Sequence, residues 1–261
     1  MTKVRYPAVA GQFYPGEAGR LKDAVEEYLA ESAGVTDPPP KAIIAPHAGY
    51  IYSGPIAGSA FAYLARANGA VKKVVLIGPA HWAATRGLAA SEADAFSSPL
   101  GTIPVDRDSY QAIAPLQQVT VFEGAHTREH CLEVQLPFLQ TIFSDFEIVP
   151  LVAGDATPSE VAEVLDSLWG GPETVVVISS DLSHYHDYST AARLDKETSE
   201  KIEEFERVSE GQACGRIAIN GLLHLAKQRK MRVKTVDLRN SGDTAGPRDR
   251  VVGYGAYVFW E

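Results

Sequence analysis

Three apolar, strand-like runs in this chain each end in a turn that carries a histidine, and this repetition constrains the fold more than any other feature. They are Lys41-Ala-Ile-Ile-Ala-Pro-His47, Val74-Val-Leu-Ile-Gly-Pro-Ala-His81 and Val175-Val-Val-Ile-Ser-Ser-Asp-Leu-Ser-His184. Continuous runs rich in β-branched residues are what strands covered on both faces look like, and such strands build parallel sheets. Parallel strands send their carboxyl ends to one edge, where ligands bind. The three imidazoles are therefore expected to meet in space although they lie far apart in the chain.

Helical spacing of apolar residues predicts helices over residues 17–32, 55–67, 106–114, 127–143, 158–169, 189–207 and 215–229, the fourth bent near Pro137. Further strands are expected over 147–152, 231–238 and 252–260, and a hairpin within 88–105 around Ser97-Ser-Pro-Leu-Gly101. The aromatic-rich arm ending in Phe13-Tyr14-Pro15 is expected to pack on the body. Strand-helix-strand alternation gives an α/β fold, a single domain over 1–261 with a mostly parallel central sheet flanked by helices. No linker, repeat or low-complexity segment divides it.

With 45% hydrophobic and 22% charged residues, the 261-residue chain has ordinary globular composition and enough length for one substantial core. A formal net charge of -9 argues against nucleic acid as a partner, which needs a basic stripe. The one basic cluster, Lys227, Arg229, Lys230 and Arg232, closes a predicted helix and reads as a solvated helix end. Two cysteines do not make a disulfide framework, and no apolar stretch approaches the roughly 20 residues of a membrane span. The N-terminal residues lack the apolar core of a leader. The expectation is a soluble cytoplasmic protein.

Cys214, in Gln212-Ala-Cys-Gly-Arg216, stands where a helix begins, and the positive end of a helix dipole favours thiolate. Two neutral imidazoles, His47 and His81, plus this thiolate would leave an open position on zinc, iron or copper, the plan of a catalytic site. A solitary cysteine is more often a small buried apolar residue, as Cys131 is expected to be. Asp181 stands close enough to His184 to orient its imidazole, which could then act as general base. His186 and Asp187 read equally well as a solvated turn.

A rival reading is the inverted zinc-peptidase pattern in His126-Thr-Arg-Glu129-His130, with two helical histidines holding zinc and the glutamate as base. The pattern is short and weak alone. The alternative places His126 near a helix start and turns His130 and Glu133 inward as supporting polar groups.

Pro46-His-Ala-Gly-Tyr50, Tyr52-Ser-Gly54, Gly78-Pro-Ala-His81, Glu129-His-Cys-Leu-Glu133-Val-Gln-Leu-Pro137, Ser179-Ser-Asp-Leu-Ser-His184-Tyr and Ala213-Cys-Gly215 together resemble the MEMO family, in order and across nearly the whole chain. The N-terminal Arg5-x-Pro7 to Pro15 segment fits as well. The resemblance implies a domain similar to LigB-type, class III extradiol dioxygenases, which use non-haem iron. It also implies a metal site on His47, His81 and Cys214 with Asp181 and His184 beside it. Prokaryotic members resemble component B of a gene group that also encodes AMMECR1-like and radical SAM proteins, the partners so implied. Those dioxygenases hold iron with two histidines and a carboxylate; Cys214 in third place alters charge, softness and redox behaviour, so ring cleavage does not carry over.

These features lead to the expectation of a metal-dependent redox protein, with iron or copper in preference to zinc, His184 handling protons and Asp181 orienting it. Tyr14, Tyr50, Tyr52 and Tyr185 are expected to rim the pocket. The competing expectation is a module that binds a small molecule or peptide in the same pocket without turnover.

Overall fold

Each histidine-bearing run becomes a strand of one sheet. In the computed structural model, which describes residues 2–32, 34–67 and 69–261, the order begins β1 (Val4–Arg5), α1 (Ala18–Glu31), β2 (Ala42–Ala45), α2 (Tyr50–Leu64) and β3 (Lys73–Pro79). It continues β4 (Leu88–Ala90), β5 (Ala95–Ser98), β6 (Gly101–Pro104), α3 (Arg107–Ile113), β7 (Val119–Val121), α4 (Leu136–Ile142) and β8 (Glu147–Ala153). The rest is α5 (Pro158–Ser167), β9 (Thr174–Ser179), β10 (His184–His186), α6 (Tyr188–Glu203), α7 (Arg216–Gln228), β11 (Arg232–Asn240) and β12 (Val251–Trp260).

The main sheet runs β10-β12-β2-β9-β3-β8-β4-β7, with β11 also paired to β12. Its centre, β2-β9-β3-β8, is parallel. Every residue of β2 and β9 is buried, as the unbroken apolar runs require. Full burial of each such Val or Ile contributes about 1.5–3 kcal/mol.

The centre is parallel as expected, and toward the edges the sheet is mixed: β12 is antiparallel to β2, β10 and β11, and β4 is antiparallel to β8. For β11 and β12 the cause is local connection. β11 returns into β12 through residues 241–250 without a crossover helix, and a parallel partner would need one. The expected hairpin forms as β5 and β6, joined at Pro99-Leu100, while β1 pairs with β5.

Two predicted helices change their bounds most. α2 begins at Tyr50, five residues before Pro55, and packs so closely on α1 that a Cβ at Gly58 would lie 2.5 Å from the Tyr28 carbonyl oxygen. The helix expected over 127–143 shrinks to α4 after a 3-10 turn at Glu133–Gln135, with turns before it. Side chains claim the backbone there: Glu129 accepts from the amides of His130 and Cys131 at 2.9 and 3.1 Å. This is the competition by which acidic side chains displace helix.

Glu133, fully buried, ties down the N-terminal arm. Its carboxylate pairs with the Arg5 guanidinium and accepts from the Ala8 and Val9 amides and the Tyr14 hydroxyl. Asp187 caps α6 by accepting from the Thr190 amide. Among the described residues, no helix is long and apolar enough to cross a membrane.

Candidate metal centre

Strand order brings the site together. β9 lies between β2 and β3, so His47, two residues past β2, His81, two past β3, and Asp181, two past β9, share one edge. Cys214 arrives from α7, whose N-cap, Gly215, sits against the end of β9. A Cβ on Gly215 would stand 2.6 Å from that of Ser180, so glycine permits the approach. Donor atoms of His47, His81 and Cys214 all lie within 4.8 Å of one another, and Cys214 Sγ is 3.4 Å from His47 Nε2.

This donor set fits a transition metal. Glu129 accepts from His81 Nδ1 at 2.8 Å and from the His81 amide at 2.7 Å. An ionised carboxylate only accepts, so Nδ1 carries the proton and Nε2 is left as the ligand atom, the common support for a metal-bound imidazole. Burial works to raise the Glu129 pKa, but the His81 hydrogen bond and charge, with two backbone amides, win and hold it at about 2. Burial depresses His81, while the Glu129 hydrogen bond and charge outweigh it and leave its pKa raised.

His47 is buried, and desolvation together with the nearby His81 and His130 holds its pKa well below the usual value, so it is neutral at pH 7. Its Nδ1 lies 2.8 Å from Ser179 Oγ. Without a metal, burial and then the Asp181 charge push the Cys214 thiol up to about 12, more than the Asp181, Ser180 and Gly215 hydrogen bonds offset. The helix start therefore does not make this thiol acidic; a bound cation would have to displace its proton.

Asp181 does not orient His184. Asp181 Oδ1 accepts from the His47 amide at 2.8 Å, and Oδ2 lies 4.0 Å from His47 Nε2. Burial raises its pKa. His184 is fixed instead by its own backbone, Nδ1 donating to the Leu182 carbonyl at 2.8 Å, which leaves Nε2 as a proton acceptor.

A cavity of about 620 Å³ opens beside the imidazoles, and His47, His81, His130, Asp181 and His184 all contribute to its wall. Tyr52 and Tyr185 line it, as do Phe13, Trp82 and Tyr254. Tyr185 is 62% exposed and holds φ 63°, a conformation costing about 1–3 kcal/mol for a non-glycine residue. Tyr14 and Tyr50, expected on the rim, are buried beneath it, their hydroxyls donating to Glu133 and to the Val134 carbonyl. Cys214 opens onto a separate cleft of about 470 Å³ beside Ala84, Gly154 and Arg216.

The peptidase pattern fails on geometry. Residues 126–132 are turns and irregular backbone, not helix, so His126 and His130 do not share a helix face. His126 is buried, with Nε2 donating to the Ala89 carbonyl at 2.9 Å. His130 belongs to the other cluster: its ring stacks on His81 at 5.0 Å and lies 5.6 Å from His47. His81, Glu129 and His130 form a second group with metal-ligand spacing. The sequence reading left His130 without a role at the centre and cast Glu129 as a peptidase base. The signal was their adjacency, obscured by a helix that does not form.

A family model described as Memo-like protein matches residues 5–258. MEMO1 family proteins of Saccharolobus solfataricus and Nitrosopumilus maritimus are 36% and 32% identical to this chain, over 98% of it and 99% of each relative. The crystal structure of an uncharacterized protein from Escherichia coli K12 is similar in fold, with TM-score 0.50 and 14% identity over 83% of this chain and 98% of that one. That likeness concerns the α/β architecture alone. The sequence motifs, carried at the strand ends of one sheet, and the match over nearly the whole length agree: this chain belongs to the Memo-like family.

Proposed function

We propose that the protein holds one iron or copper ion on His47, His81 and Cys214 and uses it in redox chemistry on a small molecule in the adjoining cavity. The observation that carries this reading is that the three donor atoms lie within 4.8 Å of one another, with His47 and His81 also lining a cavity of about 620 Å³. Two imidazoles and a thiolate leave coordination positions open, and thiolate favours softer ions, copper(I), iron and zinc among them, of which the first two are redox-active. Such an ion would supply one-electron chemistry and a site for a substrate donor atom.

The chain's own groups supply the rest. His184 receives or returns a proton at Nε2, since Nδ1 is tied to Leu182. Asp181, whose pKa burial raises, fixes the His47 backbone by accepting from its amide. Tyr52 and Tyr185 supply apolar surface and a hydroxyl each for an organic substrate.

Protein purified without an affinity tag and analysed for metals, then titrated anaerobically with Fe(II), Cu(I), Cu(II) and Zn(II), tests the reading. One equivalent of iron or copper with a sulfur charge-transfer band, lost in His81→Ala, is the expected result. Zinc bound more tightly than both, or no stoichiometric metal, would overturn it. Metal binding with no oxygen consumption or electron transfer on any added reductant would favour the non-catalytic binding module, which the aromatic walls also suit.

A further inference from the structure

We propose that Ser179 and Gln135 are positioning residues that hold His47 as its Nδ1–H tautomer, so that a bare Nε2 lone pair faces Cys214 and the centre. The inference comes from counting protons around one hydroxyl. Ser179 Oγ has three polar neighbours: the Cys131 carbonyl oxygen at 2.6 Å, Gln135 Nε2 at 2.8 Å and His47 Nδ1 at 2.8 Å. A hydroxyl offers one proton and two lone pairs. The carbonyl can only accept, so it takes the proton; the amide nitrogen can only donate, so it fills one lone pair. Nδ1 must fill the other, and it can do so only as N–H.

The Gln135 amide cannot be turned round. Its nitrogen also lies 3.0 Å from the Pro46 carbonyl oxygen, which needs a donor there. Ser179, Gln135 and Cys131 are fully buried and His47 is 2% exposed, so bulk water cannot replace a missing partner. The opposite tautomer would either set two lone pairs against each other at Nδ1 and Oγ or strip the Cys131 carbonyl of its hydroxyl donor.

The two imidazoles are thus held in the same tautomer by different means. Ionised Glu129 holds His81 and makes it more basic, whereas a neutral hydroxyl orients His47 without adding charge. The link to metal affinity rests on the proposed metal centre. The tautomer itself does not.

Long-range proton–nitrogen correlation spectra of the metal-free protein labelled with 15N-histidine test it, with His47→Asn used only to assign the resonances. His47 is expected to show a protonated Nδ1 and an unprotonated Nε2. In Ser179→Ala the signals should shift toward Nε2–H and Co(II) affinity should fall about 10- to 100-fold, the range for lost support of a metal-bound imidazole. Ser179→Thr should restore both, and Gln135→Met should give a smaller loss. A wild-type His47 protonated at Nε2 would overturn the proposal, as would Ser179→Ala with tautomer and affinity unchanged. If Ser179→Ala does not fold, the wild-type spectrum still decides. A protein that shows the expected tautomer but binds no metal would sink the proposed metal centre and leave the positioning role standing.

Discussion

Glu129 grips His81 at two points, its carboxylate accepting from the ring Nδ1 at 2.8 Å and from the backbone amide of the same residue at 2.7 Å. Ring orientation and the position of the β3 turn are set by one side chain. Two further contacts, from the amides of His130 and Cys131, tie the segment that follows to the same point.

Glu129→Gln should therefore weaken binding of Co(II) or Fe(II) by about 10- to 100-fold while leaving a cooperative fold. An amide can still accept from one donor but brings no charge to keep the imidazole basic. Metal titration at fixed pH checks this. Unchanged affinity would mean that the backbone alone positions His81.

The metal-free protein should gain stability from this pair within a bounded pH range. Glu129 titrates at about 2, below its ordinary 4.5, so its contribution is complete above 4.5 and is lost as pH falls toward 2. The His81 pKa is raised above 6.5, so its contribution is present below that value and disappears as pH rises through the raised one. Urea unfolding of wild type minus that of Glu129→Gln should peak between these limits; a flat difference would contradict the pairing.

Metal uptake should release protons, because the Cys214 thiol, pushed up to about 12, must lose its own and any His81 still charged must give up its Nε2 proton. Calorimetry in two buffers of different ionisation heat counts them. Affinity is expected to climb as pH rises from 6 to 8, about tenfold per unit for each proton released at protonated sites. PH-independent binding would argue against the thiol as a ligand.

Cys214→Ser should abolish tight binding of a soft metal, whereas Cys131→Ser should not. Cys131 is fully buried with Sγ 3.3 Å from the Pro79 carbonyl, which a serine hydroxyl can also reach, so this control should fold. Circular dichroism with metal titration separates the outcomes. Equal affinities in wild type and Cys214→Ser would leave His47 and His81 in need of another partner, and His130 and Asp181 stand nearest.

Glu133→Ala should cost about 3–5 kcal/mol, since it leaves the Arg5 guanidinium, 4% exposed, without its carboxylate. The Ala8 and Val9 amides and the Tyr14 hydroxyl lose their acceptor as well. Chemical denaturation gives the magnitude, and amide exchange should rise over residues 5–14. Loss of stability without that rise would place the strain elsewhere.

The strand-end histidines were legible because strands covered on both faces must be continuously apolar, as β2, β3 and β9 are, and any polar residue at their carboxyl ends stands out. Tyr14 and Tyr50 misled because an aromatic ring gives no sign of which way its hydroxyl turns; here both face inward acceptors. The segment from Glu129 to Gln135 was opaque for a different reason. Its apolar spacing suits a helix, but its carboxylates bind amides across the fold, and such long-range bonds leave no periodic trace. His130 was lost with that helix. The antiparallel pairing of β12 with β11 depends on a missing crossover, which composition does not reveal.

Pairing of β12 with β2 joins Tyr257 to Ile44, and the cavity wall takes Phe13 from one end of the chain and Tyr254 from the other. During synthesis, His47 and His81 leave the ribosome well before Cys214 and β12 exist. On the proposed centre, a growing chain with only two imidazoles would hold an ion loosely, and enclosure would wait until Cys214 has been made and β12 has closed against β2.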